Sequence, residues 1–168
     1  MVRLGELMVR AGTISEVQRR EILEAQAKTG RPFGELAERM FGVDPRAVES
    51  AWAAQYAASV PRVDPMGQEP DPEVLRLVGR REAWQFRVLP IRKDGAEIMV
   101  CTSPEHLVRA LKFLGWSVRG ACYMVLSEEE RLLEALARHY PMAGLGPTSF
   151  RGGVLRASRK AGSPKLRA

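Results

Sequence analysis

The spacing of apolar residues changes near residue 85 of the 168-residue chain. Before that point apolar residues recur every three or four positions, which is the spacing of one face of an α-helix. After it, compact apolar runs over residues 86–91, 96–102 and 117–126 are typical of strands, and helical spacing returns over residues 104–115 and 127–140. The pattern predicts an α+β fold. A helical N-terminal part is followed by a small α/β sandwich with helices on one face of a short three-stranded sheet.

The helical part contains an internal repeat. Ser15 opens an S-x-x-Q capping box, and at the equivalent place Asp44 precedes a proline, so both positions favour a helix start. Each copy is predicted to form a short helix, a turn and a longer helix, and the copies should pack together because neither could bury its apolar face alone. At an offset of 29, residues 3–26 align with residues 32–55 and share Gly5/Gly34, Glu6/Glu35, Leu7/Leu36, Arg10/Arg39 and Gln26/Gln55.

Prolines divide the chain into parts. Four prolines within residues 60–72 are incompatible with a helix interior or a central strand, so we expect a linker there. Residues 1–59 then form the helical repeat, and residues 73–143 form the small α/β subdomain. Within that subdomain, the Asp-Gly pair at residues 94–95 predicts a hairpin turn.

Apolar positions on the predicted helical faces are candidate core residues. Near the C-terminal end of the α/β part, Ser127 followed by Glu130 predicts a further capping box at the start of the last helix. The candidate core residues are Leu4, Leu7, Met8, Ile14, Ile22 and Leu23 in the first copy, Phe33, Leu36, Met40, Val43, Val48, Trp52 and Tyr56 in the second, and Val74, Leu75, Leu77 and Val78 after the linker.

The net charge of +6 is concentrated in one segment. Residues 151–168 hold six basic residues and no acidic residue, so residues 1–150 hold 20 of each sign and are neutral. Residues 144–168 are also rich in Gly, Ser and Pro, which predicts a flexible basic tail. Such a tail can contact an acidic surface or nucleic acid, or it can be a solvated segment only.

Several classes of protein are disfavoured by the residue content. No apolar stretch is long enough for a signal core or a transmembrane helix, so we expect a cytoplasmic protein. Cys101 and Cys122 lie in apolar runs and are expected to be buried, reduced thiols. The sequence has no G-x-x-x-x-G-K-[ST] phosphate loop, and His106 and His139 lack partners at ligand spacing, so both are expected at the surface. We therefore predict no enzyme, no metal site and no cofactor.

The N-terminal motif carries a family resemblance. The run Arg3–Val9, with Gly12, Ile14, Leu23 and Gln26, closely resembles the first of two repeated motifs of the MshEN domain, also called the GspE N-terminal domain. That domain is the N-terminal part of type II secretion and type IV pilus assembly ATPases. The resemblance implies the same fold in a stand-alone chain without the ATPase. It covers residues 2–140, and its later matches are the segments 87–91, 98–100, 103–104 and 138–140.

This resemblance implies a ligand, because members of the family bind cyclic di-GMP with one motif copy for each half of the dinucleotide. Arginine can donate two parallel hydrogen bonds to O6 and N7 of guanine, and glycine lets the backbone approach a ligand closely. The leading hypothesis is therefore a regulatory module that binds cyclic di-GMP and signals to a protein partner of a secretion, pilus or other signalling system. Carried onto this chain, the binding residues are Arg3, Leu4, Gly5, Gly12 and Gln26, then Gly34 and Gln55 in the second copy, with Arg31 as a neighbouring arginine.

The second copy departs from the family motif. Pro32 and Phe33 stand where the motif has arginine and leucine, and Phe41 stands where it has glycine, with Gly42 one place later. In the first copy Arg19 replaces a motif leucine. Proline lacks both the charge and the backbone donor, so a second hypothesis is a docking adaptor that has lost nucleotide binding and contacts proteins. Binding of RNA or DNA through the basic tail is a third.

Overall fold

The computed structural model describes residues 2–146, and the remaining residues, which include most of the predicted basic tail, lie outside that part. Two 3-10 helices lie at Pro65–Gly67 and Pro104–His106. None of the helices in the described part is long and apolar enough to cross a membrane. The other elements are α1 (Leu4–Arg10), α2 (Glu16–Thr29), α3 (Phe33–Phe41), α4 (Pro45–Ala57), α5 (Pro72–Leu75), α6 (Arg80–Phe86), β1 (Leu89–Asp94), β2 (Glu97–Thr102), α7 (Leu107–Ser117), β3 (Ala121–Leu126) and α8 (Glu129–His139).

The second helix of each copy starts where the sequence predicts. Ser15 Oγ accepts a hydrogen bond from Gln18 N at 3.2 Å, and Gln18 Oε1 accepts one from Ser15 N at 2.7 Å, which confirms the capping box of α2. In the second copy, Asp44 Oδ1 accepts a hydrogen bond from Arg46 N at 2.8 Å and caps α4. Each cap satisfies backbone donors that the first turn of a helix leaves unpaired.

The helices of each copy pack against helices of the other copy. α1 packs against α4, and α2 packs against α3, so the first helix of each copy contacts the second helix of the other. This confirms that the copies form one helical unit. Its small core is made of Met8, Ile14, Ile22, Leu36, Ala37, Val43 and Ala51.

Four side chains predicted to be core residues are exposed instead. In α2 the core is reached by Ile22, which is fully buried, whereas Leu23 on the next position turns toward solvent. A helix that packs on one side buries only a stripe of its surface, and neighbouring residues point about 100° apart. The exposed fractions are 36% for Leu23, 41% for Met40, 40% for Trp52 and 44% for Leu77.

The proline-rich segment is fastened to both edges of the sheet. Val63 N donates to Leu126 O at 2.8 Å, and Leu126 N donates to Pro61 O at 2.9 Å, so the segment pairs with the end of β3. Farther along, Asp71 N donates to Ile91 O at 2.8 Å on β1. The segment is therefore an ordered strap that runs from one edge strand to the other.

The sheet has the order β1-β2-β3, with β2 antiparallel to β1 and parallel to β3. The two residues of the β1–β2 turn are Gly95 and Ala96, because Asp94 is the last residue of β1 and pairs with Glu97. The turn therefore lies one position after the predicted Asp94-Gly95 pair, and its first residue, Gly95, has a φ of 62°, which suits glycine. Residues 98–102 of β2 are all buried. Successive strand residues point to opposite faces, so both faces of the central strand are covered, whereas the sequence predicted helices on one face only.

Two boundaries in the α/β part differ from the prediction. The first strand begins at Leu89, because residues 80–86 still form α6 and Arg87 ends that helix with a φ of 54°. The last helix is not capped by Ser127. Its N-cap is Glu128, which caps without a side-chain hydrogen bond, and Ser127 is buried with its Oγ donating to Glu128 O at 3.0 Å. Ser127 N also donates to Thr102 O on β2 at 2.9 Å, so the residue extends the sheet pairing instead of capping α8.

Candidate ligand site on the helical repeat

Two glutamines at equivalent positions of the repeat make equivalent contacts. Gln26 Nε2 donates to the carbonyl oxygen of Arg31 at 3.2 Å. Gln55 Nε2 donates to the carbonyl oxygen of Val2 at 3.0 Å. At the offset of 29, Gln26 corresponds to Gln55 and Val2 corresponds to Arg31. Each glutamine therefore bonds to the residue that precedes the other copy. Because the two contacts are reciprocal, the copies are related by an approximate twofold axis.

This exchange creates two matching corners on the helical unit. The Arg3 corner consists of Val2, Arg3 and Gln55, where the start of α1 meets α4. The Arg31 corner consists of Arg31, Pro32 and Gln26, where the start of α3 meets α2. Each predicted half-site is therefore built from both copies, and the glutamine bonded beside Arg3 is Gln55.

The Arg3 corner presents a positive charge to solvent. Arg3 is exposed, and its backbone N donates to Glu6 Oε2 at 3.2 Å. Within residues 2–146 its guanidinium has no ion-pair partner. One turn before Gln55 on α4, the exposed ring of Trp52 stacks on Tyr56 with a centroid distance of 5.3 Å and an interplanar angle of 26°.

The arginine of the Arg31 corner, unlike Arg3, forms an ion pair within the protein. Arg31 Nη1 lies 2.5 Å from Glu35 Oε1, which also pairs with Arg39 Nη1 at 3.3 Å. The hydrogen bonds from Arg31 and Arg39 lower the pKa of Glu35. These groups are solvent-exposed, so the pairs contribute little to folding. Their effect is to direct the Arg31 side chain along α3.

The motif glycines Gly5 and Gly34 lie inside the helical unit. A Cβ on Gly5 would lie 2.8 Å from Phe33 Cζ and 3.1 Å from Arg19 Cγ. A Cβ on Gly34 would lie 2.6 Å from Val48 Cγ1. Arg19 and Val48 are equivalent in the repeat, so both glycines let helices of one copy pack closely. The Phe33 ring of the second copy lies directly against Gly5 of the first copy.

The turn glycines and Leu4 occupy different environments. Gly12 has a φ of 71° and open space around its Cα, so it provides a left-handed turn after α1. In the second copy Gly42, with a φ of 64°, does this one position later. Leu4 is half-buried against the small core. The shifted glycine means that the backbone after α3 does not superpose on that after α1.

Sequence reasoning missed Trp52 and Tyr56 as candidate binding residues and placed both in the core. The repeat contained the signal that identifies Trp52, because the offset of 29 pairs Trp52 with Leu23, a motif position. Both of these side chains are exposed at equivalent places, Leu23 at 36% and Trp52 at 40%. Trp52 stacks on Tyr56, so the two rings together form an aromatic surface on α4.

A polar network lies in the α/β part. Arg87 Nε donates to Glu129 Oε1 at 3.0 Å, and His106 Nδ1 lies 3.4 Å from Glu129 Oε2. Ser103 Oγ lies 3.0 Å from the same His106 nitrogen. Burial opposes the charged form of Glu129, but hydrogen bonds from His106 and Ser103 outweigh it and bring its pKa to about 2. His106 is thus half-buried and bonded, and His139 at the end of α8 is half-buried as well, so the expected surface position of both histidines was wrong.

The same network contains donor atoms that lie close enough for a metal ion. Single donor atoms of Glu105, His106 and Glu129 lie within 4.8 Å of one another. The guanidinium of Arg87 already binds Glu129, and its positive charge disfavours a second cation there. We assign no metal to it.

The two thiols differ in exposure. Cys101 is buried, and burial raises its pKa to about 12, so it is an unreactive thiol. Cys122 is only half-buried, which differs from the expectation of burial, and burial raises its pKa as well. Neither is in a disulfide.

Comparison with known proteins connects the chain to type IV pilus assembly ATPases. The type IV pilus assembly ATPase PilB of Myxococcus xanthus is 29% identical over 146 residues, which cover 84% of this chain and 25% of that protein. PilB of Thermus thermophilus is 30% identical over 141 residues, which cover 83% of this chain and 15% of that protein. The chain thus spans a quarter or less of the length of these relatives.

Two solved structures resemble the chain more loosely. A structure of MshE with cdg is 26% identical, covers 83% of this chain and 100% of that chain, and has a TM-score of 0.47. The N-terminal domain of XpsE is 15% identical, covers 82% of this chain and 94% of that chain, and has a TM-score of 0.45.

The family model of the MshEN domain matches residues 58–145. The match covers the strap and the whole α/β part, from the segment that pairs with β3 to the residues after α8. The helical repeat precedes it. Because the match extends over more than half of the sequence, the chain belongs to the MshEN domain family.

Proposed function

We propose that this chain is a non-enzymatic regulatory module that binds cyclic di-GMP on its helical repeat. The observation that carries the proposal is the exchanged pair of glutamine contacts, Gln26 to Arg31 and Gln55 to Val2. They build two matching corners around an approximate twofold axis. Cyclic di-GMP is itself twofold symmetric, with two guanines and two phosphates, and a receptor of the same symmetry can contact both halves equivalently.

Arg3 is the residue that reads a guanine in this proposal. It is exposed, and its guanidinium makes no ion pair with a carboxylate of the described part of the chain. A guanidinium that donates two hydrogen bonds to O6 and N7 of guanine contributes about 1–3 kcal/mol of discrimination. Trp52, one turn before Gln55, offers an aromatic face on which a base can stack, a contact of roughly 1–3 kcal/mol.

The two corners are unequal, and this predicts weaker binding than a fully matched site gives. Pro32 brings no charge and no backbone donor, and Arg31 is paired with Glu35 at 2.5 Å. Losing one bidentate arginine contact costs about tenfold to a hundredfold in affinity. The Arg3 corner should therefore supply most of the affinity.

The partner in this proposal is a protein of a pilus or secretion system, and the location is the cytoplasm. Support comes from membership of the MshEN family and from the PilB relatives. The α/β part, which is the matched part, is the natural relay, because α4 of the helical unit packs on α7. Lys112 Nζ on α7 lies 2.5 Å from Glu49 Oε1 on α4 and ties the two units together.

Calorimetric titration with cyclic di-GMP tests the proposal. Arg3→Ala should weaken binding at least about tenfold while leaving the melting temperature nearly unchanged, because an exposed arginine contributes little to folding. Trp52→Ala should weaken binding by about fivefold or more through loss of stacking. Arg10→Ala is the matched control, since it removes an exposed arginine at the other end of the same helix, and it should bind like the parent.

The restored variant is the counter-test. Pro32→Arg with Phe33→Leu rebuilds the family motif in the second copy and should tighten binding. Titrations with GTP and cyclic di-AMP should give no comparable signal. If neither the parent nor the restored variant binds cyclic di-GMP, the nucleotide function is wrong.

A docking adaptor is the second candidate function, and Phe33 favours it. Its ring covers Gly5, so the surface of α1 that glycine would open to a ligand is already packed. Under this alternative the repeat is a structural platform, and Arg3→Ala changes neither nucleotide binding nor partner binding. The same titration therefore separates the two functions.

A further inference from the structure

One aromatic side chain in the α/β part is exposed although it is held firmly. Trp116, at the end of α7, is 72% exposed, more than any other large apolar residue of the described part. Its ring packs edge-on against Phe113 at 5.2 Å and against Phe86 at 6.3 Å between ring centroids. Phe86 and Phe113 stack on each other at 4.2 Å. Trp116 is thus an ordered ring that no described residue covers.

The surface around Trp116 is positively charged. The Arg109 guanidinium carbon lies 5.3 Å from the centre of the Phe86 ring, the ring that Trp116 also contacts. Arg81 and Gln85 of α6 join Arg109 and Leu145 in lining a cavity of about 400 Å³. We call this surface, made of Arg81, Gln85, Phe86, Arg109 and Trp116, the α6–α7 face.

The charges of this face are not compensated within the described chain. Helices α6 and α7 and the turn after α7 hold five basic residues and one acidic residue, Glu82. Lys112 pairs with Glu49 on α4. The other four basic residues have no ion-pair partner in residues 2–146, and they are Arg80, Arg81, Arg109 and Arg119.

We propose that the α6–α7 face docks an acidic segment of a partner protein that carries a large apolar side chain. Tryptophan and arginine dominate the binding energy of protein interfaces, and here Trp116 and Arg109 both contact the Phe86 ring. The acidic groups of the partner pair with Arg81 and Arg109, while its apolar side chain packs on Trp116. This inference uses no residue of the nucleotide site, so it stands whether or not cyclic di-GMP binds.

A protein segment fits this face better than single-stranded nucleic acid does. Single strands bind on rows of open rings, where successive bases stack. In the α6–α7 face Phe113 is only 1% exposed and stacks on Phe86, so Trp116 is the one ring of the three with an open face. A single aromatic anchor flanked by arginines is typical of a protein-docking site.

Selection of random 12-residue peptides on the immobilised full chain tests the proposal. The selected peptides should be enriched in Asp and Glu and should each contain an aromatic or large aliphatic residue. In fluorescence anisotropy with a labelled selected peptide, Trp116→Ala and Arg109→Glu should each raise the Kd at least about tenfold. Both positions are exposed, so thermal melting should show that the variants stay folded.

Matched controls lie on the helical repeat. Met40→Ala removes another apolar side chain, 41% exposed, and Arg20→Glu reverses another exposed arginine, and both should leave the peptide Kd within about twofold. Selected peptides without acidic enrichment, or equal binding by folded Trp116→Ala, would overturn the proposal. A labelled dT20 oligonucleotide that binds more tightly than the peptides and is lost in Arg109→Glu would also overturn it, in favour of nucleic acid.

Discussion

Glu129 shows how a single carboxylate joins separate elements of the α/β part. It lies in the first turn of α8, where negative charge interacts favourably with the helix dipole, and it receives Arg87 from the end of α6. His106 approaches its second oxygen from the 3-10 helix before α7. Because these partners favour the charged carboxylate, its pKa falls from 4.5 to about 2.

Glu129→Gln should therefore lower the free energy of unfolding at pH 7 by about 1–2 kcal/mol. This value is smaller than that of a fully buried ion pair, because the Glu129 side chain is one-third exposed. A depressed folded-state pKa stabilises the protein above the ordinary glutamate pKa, and that contribution is lost as the pH falls from about 4.5 toward 2. Urea unfolding at pH 7, 4 and 3 should show a smaller decrease for the variant than for the parent.

Glu128→Gln is the control for this prediction. Glu128 is the preceding residue and pairs with Arg62 at 3.2 Å, but its side chain is 79% exposed. Its loss should change the unfolding free energy by less than about 0.5 kcal/mol. Equal effects of the two substitutions would show that the Glu129 network does not stabilise the fold.

At the scale of the helices, glycine sets how closely the four short helices of the repeat approach. Gly5 on α1 faces Phe33 on α3 and Arg19 on α2, and Gly34 on α3 faces Val48 on α4. A larger residue at either position would push two helices apart. The glycines that the family motif assigns to a ligand thus also hold the helical unit together.

Gly5→Ala should destabilise the chain by about 1–2 kcal/mol in urea unfolding. The new methyl group would lie 2.8 Å from Phe33 Cζ, and overpacking of this kind costs about 1–3 kcal/mol, partly offset by the better helix propensity of alanine. In a Phe33→Leu background the shorter side chain leaves room, so the same substitution should cost less.

Gly115→Ala is the matched control, and it should raise the free energy of unfolding where Gly5→Ala lowers it. Gly115 is a helical glycine in α7, and a Cβ there would meet no atom within 4 Å. Alanine should therefore stabilise the chain by roughly 0.5–1 kcal/mol. If Gly5→Ala also stabilised it, the close packing of α1 on α3 would be wrong.

At the scale of the whole molecule, two cores are joined by a strap and by one helix contact. The core of the helical unit is small, whereas the sheet and its helices bury most of the large apolar residues. Between the units, α4 and the residues around Pro104 line a groove of about 450 Å³, and Glu49, one of the lining residues, pairs with Lys112 of α7. Within residues 2–146, the contacts of α4 with α7 and with the 3-10 helix at Pro104–His106, together with the strap, connect the helical unit to the α/β part.

The strap should be protected from hydrogen exchange. The amide protons of Val63 and Asp71 bond to Leu126 and Ile91 of the sheet, so each should exchange at least about 100-fold more slowly than an open linker amide. NMR-detected exchange measures this directly. Glu69 is the internal reference, since its amide has no hydrogen bond in the described structure and should exchange fast. Fast exchange at both Val63 and Asp71 would mean that the segment is a free linker.

The sequence by itself determined the features that depend on neighbouring residues. The capping box at Ser15 and the Asp44 cap formed as predicted, and the hairpin turn formed one position after the predicted Asp94-Gly95 pair, because each requires only groups within three positions of one another. The repeat could be read from identities at one offset, and the run Arg3–Val9 with the residues that follow it carried the family resemblance. Periodicity also gave the α+β class, because buried faces must repeat with the period of the element.

Only the tertiary structure decided which surfaces meet. The contact of Gln55 with Val2 joins residues 53 positions apart, and nothing in the local sequence distinguishes it from a contact within one copy. The same reason explains why Leu23 and Trp52 are exposed, why both faces of β2 are covered and why Ser127 is buried instead of capping α8. Each depends on the packing of distant elements, since burial of a side chain is decided by the surface that comes to lie against it.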